Sequence, residues 1–205
     1  MTAVQPPAAT AAPRTVTATA PFVSTESRTI AAVVGVPAGI WLVAYAVVAA
    51  LYSLERIDST RRVFEDEAVA QFASLLRSTG LYGFAAPLVL GAAVLAVPRL
   101  VGSRTVALAR TALFGGWLWI AGLAMVAWSA VVDGRPGAEA AAMLDLHLVG
   151  MGALLVGLLA VALSVFTTVF ASRRADLALA DAQPAAWGAL VSSFAMLLSL
   201  PVLLG

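Results

Sequence analysis

The sequence predicts an all-α integral membrane protein, a bundle of about five transmembrane helices preceded by a disordered N-terminal tail. Two observations predict this fold class. The first is composition: 61% of the 205 residues are hydrophobic and only 11% are charged, whereas soluble domains carry roughly 25% charged residues. The second is the confinement of charges to short stretches between long apolar runs. Backbone polar groups in a bilayer must be satisfied within the chain, so runs of this length are expected to be helices rather than strands.

Five runs lack Asp, Glu, Lys and Arg, and each reaches the roughly 20 residues that a helix needs to cross a bilayer core. They predict membrane spans at residues 30–52, 80–98, 112–132, 146–171 and 186–204. Residues 1–28 are rich in Ala, Thr and Pro and lack the large apolar residues that form a core, so they predict a disordered cytoplasmic tail. The apolar run after Arg28 is too long for a signal-peptide core. Residues 29–205 are therefore expected to form one transmembrane domain.

The loops differ in charge, and this predicts the orientation. Arg99, Arg104 and Arg110 lie in a loop without acids, whereas residues 133–145 carry three acids against one Arg. By the positive-inside rule the Arg loop is cytoplasmic, which places the N-terminus inside and the C-terminus outside the cell's inner (plasma) membrane. Arg173 and Arg174 then also fall on the cytoplasmic side. A short surface helix is expected at residues 63–77.

Several chemistries have little support in the sequence. There is no cysteine, so thiolate chemistry and Cys-ligated metal sites are excluded. All twelve basic residues are Arg, and the net charge of +1 indicates no nucleic-acid partner. No ionisable residue lies in the middle of a span, where an ion or proton pathway would need one.

Four groups of residues require both a functional and a structural interpretation. His147, the single histidine, could bind haem only with a methionine such as Met125 or Met196, or across a homodimer, and an interfacial role is favoured. The five tryptophans are interpreted as membrane-interface anchors. Gly35 and Gly39 could bring another helix close. A transporter would line its path with polar groups, and the candidates are Ser164, Thr167, Thr168, Ser192 and Ser193. Hydroxyls of this kind usually bond to the backbone of their own helix or join helices.

The segments between the spans resemble those of subunit I of the haem-copper cytochrome c oxidases. The resemblance is strongest at residues 97–119, VPRLVGSRTVALARTALFGGWLW, where Pro98, Gly102, Val106, Ala107, Arg110 and Trp117 are in register with the family pattern. It continues through Asp145, Thr167, Thr168, Arg173, Trp187, Ser193 and Pro201 at family spacing. Together these positions span the first five helices of that family, and their joint spacing is more specific than any single motif.

The departures from the family pattern concern its chemistry. The resemblance implies a low-spin haem ligand in the second helix, but Leu76 occupies that position. The acidic residue at the mouth of the family's proton pathway is replaced by Thr105. Three pathway asparagines are replaced by Val94, Ala112 and Ser164. The sequence also ends at the fifth helix, before the family's remaining ligands. We therefore expect a truncated and degenerate paralogue that does not reduce oxygen on its own.

The function predicted from this pattern is a non-catalytic accessory or assembly component of a respiratory electron-transport complex. Its partners would be the lipid bilayer and other membrane subunits, or further copies of itself. No cofactor is expected, with haem at His147 as the one alternative. Two other functions stay open: part of a split haem-copper oxidase completed by another polypeptide, and a small membrane transporter.

Overall fold

The computed structural model describes residues 24–57, 73, 75–77, 79–132, 139–174 and 182–204. Within these ranges the chain forms five long helical units. They are α1 (Thr25–Ile57), a π-helical turn (Gly80–Ala85) continuing into α2 (Ala86–Val101), α3 (Ala109–Val132), α4 (Glu139–Ala171) and α5 (Pro184–Leu204). All five are long and apolar enough to cross a membrane. The all-α fold class with five spans is confirmed.

Four helices begin earlier than the sequence predicted, α3 and α5 by two or three residues and α1 and α4 by more. Helix α1 begins at Thr25, so residues 25–28 are helical rather than part of the tail. The reason is a local cap: the backbone N–H of Ser27 donates to Ser24 Oγ at 3.2 Å, and Glu26 lies in the first turn, where a negative charge is favourable. Helix α4 begins at Glu139, within the predicted outer loop. Residues 1–23, most of the predicted surface helix and residues 133–138 lie outside the described ranges.

The outward surfaces of the helices are apolar. Large side chains that are more than half exposed include Val36, Ile40, Val43, Leu148, Val149, Val191, Leu198 and Val202. A soluble monomer rarely exposes so much contiguous apolar surface. These side chains are suited to contact with lipid tails, so the bundle is built for the bilayer.

Helices α3 and α4 form the most extensive contact in the bundle, and four glycines form the seam between them. Gly115 and Gly122 of α3 face Gly157 and Gly150 of α4, seven residues apart in each helix. A methyl group placed on Gly157 would lie 2.5 Å from the backbone nitrogen of Trp119, and one on Gly115 would lie 2.6 Å from the Gly157 carbonyl oxygen. Only glycine permits this approach, which brings two helix backbones into direct contact.

The core lies where α2 and α4 pack between the other helices. Its largest buried side chains are Trp119, Ile30, Leu90, Leu154, Leu158 and Leu200. Trp119 corrects the interpretation of the tryptophans as interface anchors: its ring is fully buried, and its indole N–H donates to the Tyr82 carbonyl at 3.0 Å. Tyr82 lies in the π-helical turn, where the wider backbone pitch changes the regular hydrogen-bonding pattern.

One end of the bundle is rich in arginine. Hydrogen bonds between the α2–α3 loop and the end of α4 bring these segments together, and residues at the start of α1 line a groove with the start of α3. The arginines at this end are all exposed: Arg28, Arg99, Arg104, Arg110, Arg173 and Arg174. Glu26 is the single acidic residue among the described residues there. The arginines that the sequence placed in separate loops thus lie together at one end of the bundle.

Candidate functional site

Leu76, at the position of the expected haem ligand, lies beside a small cavity between α1 and the start of the second span. The cavity has a volume of about 40 Å³ and is lined by Trp41, Ala44, Tyr45, Val48, Leu75, Leu76 and Thr79. The lining is nearly all apolar. Two of the lining residues, Tyr45 and Thr79, carry hydroxyl groups. Thr79 Oγ1 donates to the Leu75 carbonyl at 2.6 Å.

Trp41 packs against the π-helical turn beside this cavity. A methyl group on Gly83 would lie 2.7 Å from Trp41 Nε1, so the indole edge rests directly on the turn. Nε1 is buried and has no hydrogen-bond partner among the described residues. An unpaired buried donor costs stability, on the order of 1–3 kcal/mol. Trp41 is therefore held here by packing rather than by its polar atom.

Pro98 and Gly102 form the stop signal that ends α2. The backbone N–H of Ser103 donates to the Pro98 carbonyl at 2.8 Å, and the N–H of Gly102 donates to the Arg99 carbonyl at 3.4 Å. With Gly102 at φ 71°, this is the Schellman arrangement. The Arg174 side-chain stem lies directly over the Gly102 Cα, and the Arg174 N–H donates to the Val101 carbonyl at 3.0 Å. A side chain at position 102 would meet both a strained φ and the Arg174 stem.

The loop after Gly102 is held by two hydroxyls of α4. The N–H of Ala107 donates to Thr168 Oγ1 at 2.9 Å, and Ser164 Oγ donates to the Ala107 carbonyl. The next residue, Leu108, has φ 55°, a left-handed conformation that is uncommon for a non-glycine residue. Both Ser164 and Thr168 are fully buried. The two hydroxyls thus stabilise a strained turn by satisfying both backbone groups of Ala107.

His147 forms the one polar side-chain contact described across the α3–α4 seam. Its Nδ1 lies 3.1 Å from Ser129 Oγ, and Ser129 Oγ in turn donates to the Val126 carbonyl at 2.9 Å. Ser129 is buried, whereas His147 is partly exposed near the start of α4. Asp145 is exposed two residues earlier. Among the described residues, no group of three His, Asp or Glu side chains is placed to hold a metal ion.

The other residues singled out from the sequence are dispersed. Trp117 is exposed on the outer face of α3, and Trp187 and Pro201 are exposed on α5. Arg110 lines a groove of about 200 Å³ together with Glu26 and Thr29 of α1. Arg173 is exposed just beyond α4, and Thr167 Oγ1 donates back to the Leu163 carbonyl of its own helix. These positions share a family pattern without sharing a site.

Comparison with protein families decides the relationship. Residues 29–205 match the family described as Cytochrome C and Quinol oxidase polypeptide I. The chain belongs to this family. No curated protein matches the chain. The resemblance inferred from the inter-span segments is thus confirmed, and the chain is a multi-pass membrane protein similar to subunit I of the cytochrome oxidases.

Family membership raises the question of whether the described residues fit a haem at the second-span position. They do not fit one. Leu76 offers no nitrogen or sulfur ligand, and the cavity beside it, with a volume of about 40 Å³, has space for only a few water-sized molecules. The hydroxyl of Thr79 is already bonded to its own helix. We therefore assign no haem chemistry to this position.

The proton-pathway positions of the subunit I family are also changed in character. Val94 and Ala112 are fully buried and apolar, and Ser164 is fully buried with its proton donated to the Ala107 carbonyl. Thr105 is exposed in the loop, where its N–H and carbonyl both bond to Ser103 Oγ. The hydrogen-bonding capacity that remains at these positions supports the loop between α2 and α3.

Sequence reasoning missed two features of this subunit I relative. It gave Ser129 no role, although Ser129 near the end of α3 and His147 near the start of α4 come to the same level when the two helices form an antiparallel hairpin. It also interpreted Trp119 as an interface anchor, because composition cannot distinguish the two faces of an apolar helix. The seven-residue spacing of the glycines in α3 and α4 could have indicated which faces of these helices meet, and so which residues lie between them.

Proposed function

We propose that the chain is a non-catalytic accessory or assembly component of a respiratory electron-transport complex. One observation carries the proposal. Leu76 replaces the ligand position of the family and lies against a small apolar cavity, while the residues that build the α2–α3 loop keep the family pattern and are held by hydrogen bonds. Family features that shape the bundle are kept, and those that would hold a redox group are replaced.

The hydroxyl groups support this proposal over a transporter. Thr167, Thr168 and Ser193 donate to carbonyls one turn earlier in their own helices, at 2.6–2.7 Å, and Ser164 donates to Ala107. Hydroxyls bonded in this way contribute to helix packing, which is the usual role of Ser and Thr in membrane helices.

We further propose that the Arg-rich end faces the cytoplasm and that the membrane is the inner membrane of the cell. The six exposed arginines at that end, against the single Glu26, follow the positive-inside rule. A cytoplasmic N-terminus and an external end of α5 follow from five spans.

The experiment is recovery of partners with an affinity-tagged full chain from membranes solubilised in a mild detergent. We expect other respiratory membrane subunits to co-purify in fixed ratio, and deletion of the gene to lower the amount of assembled oxidase. In the deletion strain, the Leu76→Met variant, which preserves side-chain volume, should restore the amount of assembled oxidase as well as the wild-type chain does. A tagged unrelated five-span protein is the control for detergent carry-over. Elution of the chain free of partners, with unchanged oxidase in the deletion strain, would overturn the proposal.

A further inference from the structure

A groove opens between the starts of α1 and α3 at the Arg-rich end of the bundle. Its volume is about 200 Å³. The residues that line it are Thr25, Glu26, Thr29, Ile30, Ala109, Arg110 and Leu113. Both helices are long and apolar enough to cross a membrane, and both begin beside this groove. The groove therefore lies at the level where the headgroups of a bilayer meet the acyl chains.

The charged and the apolar residues of the groove lie at different depths. Glu26 and Arg110 are exposed in the first turns of their helices. Ile30 of α1 is buried and Leu113 of α3 is half-buried, and they follow the charged residues by four and three positions. At 1.5 Å per residue they lie about 5 Å nearer the bilayer centre. The groove is thus polar at its mouth and apolar below, as a phospholipid is.

The outer face of α3 continues the groove toward the bilayer centre. Phe114 and Trp117 follow Arg110 by four and seven residues, so helix geometry places the three on one face. The side chains of Phe114 and Trp117 are 65% and 58% exposed. An acyl chain attached to a headgroup in the groove would run along these two rings.

The charges at this end favour an anionic headgroup. Six exposed arginines stand against the single Glu26 among the described residues. Arg110 and Glu26 line the same groove, and no ion pair joins Arg110 to a described residue. A guanidinium binds a phosphate group through two parallel hydrogen bonds. A carboxylate accepts hydrogen bonds from hydroxyl groups, so Glu26 suits a headgroup that carries hydroxyls beyond its phosphate.

We propose that this groove binds the headgroup of phosphatidylglycerol, with the phosphate on Arg110, the glycerol hydroxyls on Glu26, and an acyl chain along Phe114 and Trp117. Basic pockets between transmembrane helices bind anionic lipid headgroups in this way. Pockets that enclose a drug-sized ligand have volumes of roughly 300–1,000 Å³. The smaller groove fits a headgroup whose acyl chains stay in the bilayer. The site does not depend on the proposed accessory role.

The first test is native mass spectrometry of the full wild-type chain in detergent. Phosphatidylglycerol, phosphatidylcholine and phosphatidylethanolamine with identical acyl chains are added at equal concentrations. We expect one phosphatidylglycerol per chain, bound at least roughly fivefold more strongly than either of the other two lipids. This measurement needs no variant, so it stands even if a substitution prevents folding. Equal binding of the three lipids would overturn the proposal.

Variants then locate the site. Arg110→Ala should lower phosphatidylglycerol binding to the level of phosphatidylcholine. Arg104→Ala is the matched control: it removes the same charge from the same end but does not line the groove, so it should keep the preference. Thr29→Trp, at an exposed position, should fill the groove and also abolish the preference. Melting temperatures in lipid-free detergent check that each variant is folded. Equal loss in Arg104→Ala and Arg110→Ala, or unchanged binding in Thr29→Trp, would overturn the site.

Discussion

At the scale of single residues, adjacent side chains of the same type have different roles. Thr167 and Thr168 both match the family pattern, and both donate to a carbonyl of their own helix. Only Thr168 is fully buried and also accepts the Ala107 N–H from the loop. The sequence predicted that the pair mattered, but it could not say which member faces the loop, because that depends on the rotation of α4 against α3.

Thr168→Ala should destabilise the protein, because the Ala107 N–H beside the left-handed Leu108 loses its acceptor. We expect a loss of about 1–2 kcal/mol in the free energy of unfolding, measured by denaturant or heat in detergent. Thr167→Ala is the matched control and should change it by less than about 0.5 kcal/mol, since its hydroxyl bonds only within α4. Equal effects from the two variants would show that the loop contact contributes nothing.

At the scale of helices, close approach of backbones organises the bundle. The sequence indicated that Gly35 and Gly39 could bring another helix close. A methyl group on either would meet nothing within 4 Å, although the Gly35 backbone nitrogen lies 3.6 Å from where a methyl group on Gly91 of α2 would be. The seam instead uses the α3 and α4 glycines at heptad spacing. In a chain rich in Gly and Ala, short small-residue patterns recur by chance. The correct set becomes evident only when two antiparallel helices are placed together.

Gly122→Ala should separate α3 from α4, because its new methyl group would overlap the Leu154 backbone. We expect a loss of about 1–3 kcal/mol and a lower melting temperature in detergent. Gly152→Ala on α4 is the control: nothing lies within 4 Å of its Cβ position, and alanine favours a helix. A neutral Gly122→Ala would contradict the assignment of the seam.

At the scale of the whole molecule, charge segregation allowed the five spans to be predicted, and the motifs between the spans allowed the family to be predicted. It worked because a bilayer penalises charges in nearly every sequence context, so the spans are visible without knowledge of packing. The interior arrangement was not predictable in this way. Trp119 and the exposed Trp117, two residues apart, are chemically identical and differ only in which face meets the core.

The orientation can be tested by cysteine labelling, because the chain has no native cysteine. Arg104→Cys, at the Arg-rich end, should be blocked only by a membrane-permeant thiol reagent in intact cells. Ala141→Cys, exposed at the start of α4, should also react with an impermeant reagent applied outside. The reverse labelling pattern would invert the proposed topology.

The central claim is that this member of the subunit I family keeps the helical framework without the family's haem. The most direct measurement is a dithionite-reduced minus oxidised absorption spectrum of the chain purified away from partners, with a pyridine haemochrome assay on the same sample. We predict no haem bands, because Leu76 provides no ligand and its cavity provides no space. About one haem per chain, lost in His147→Ala, would contradict the claim and would make His147 a haem ligand.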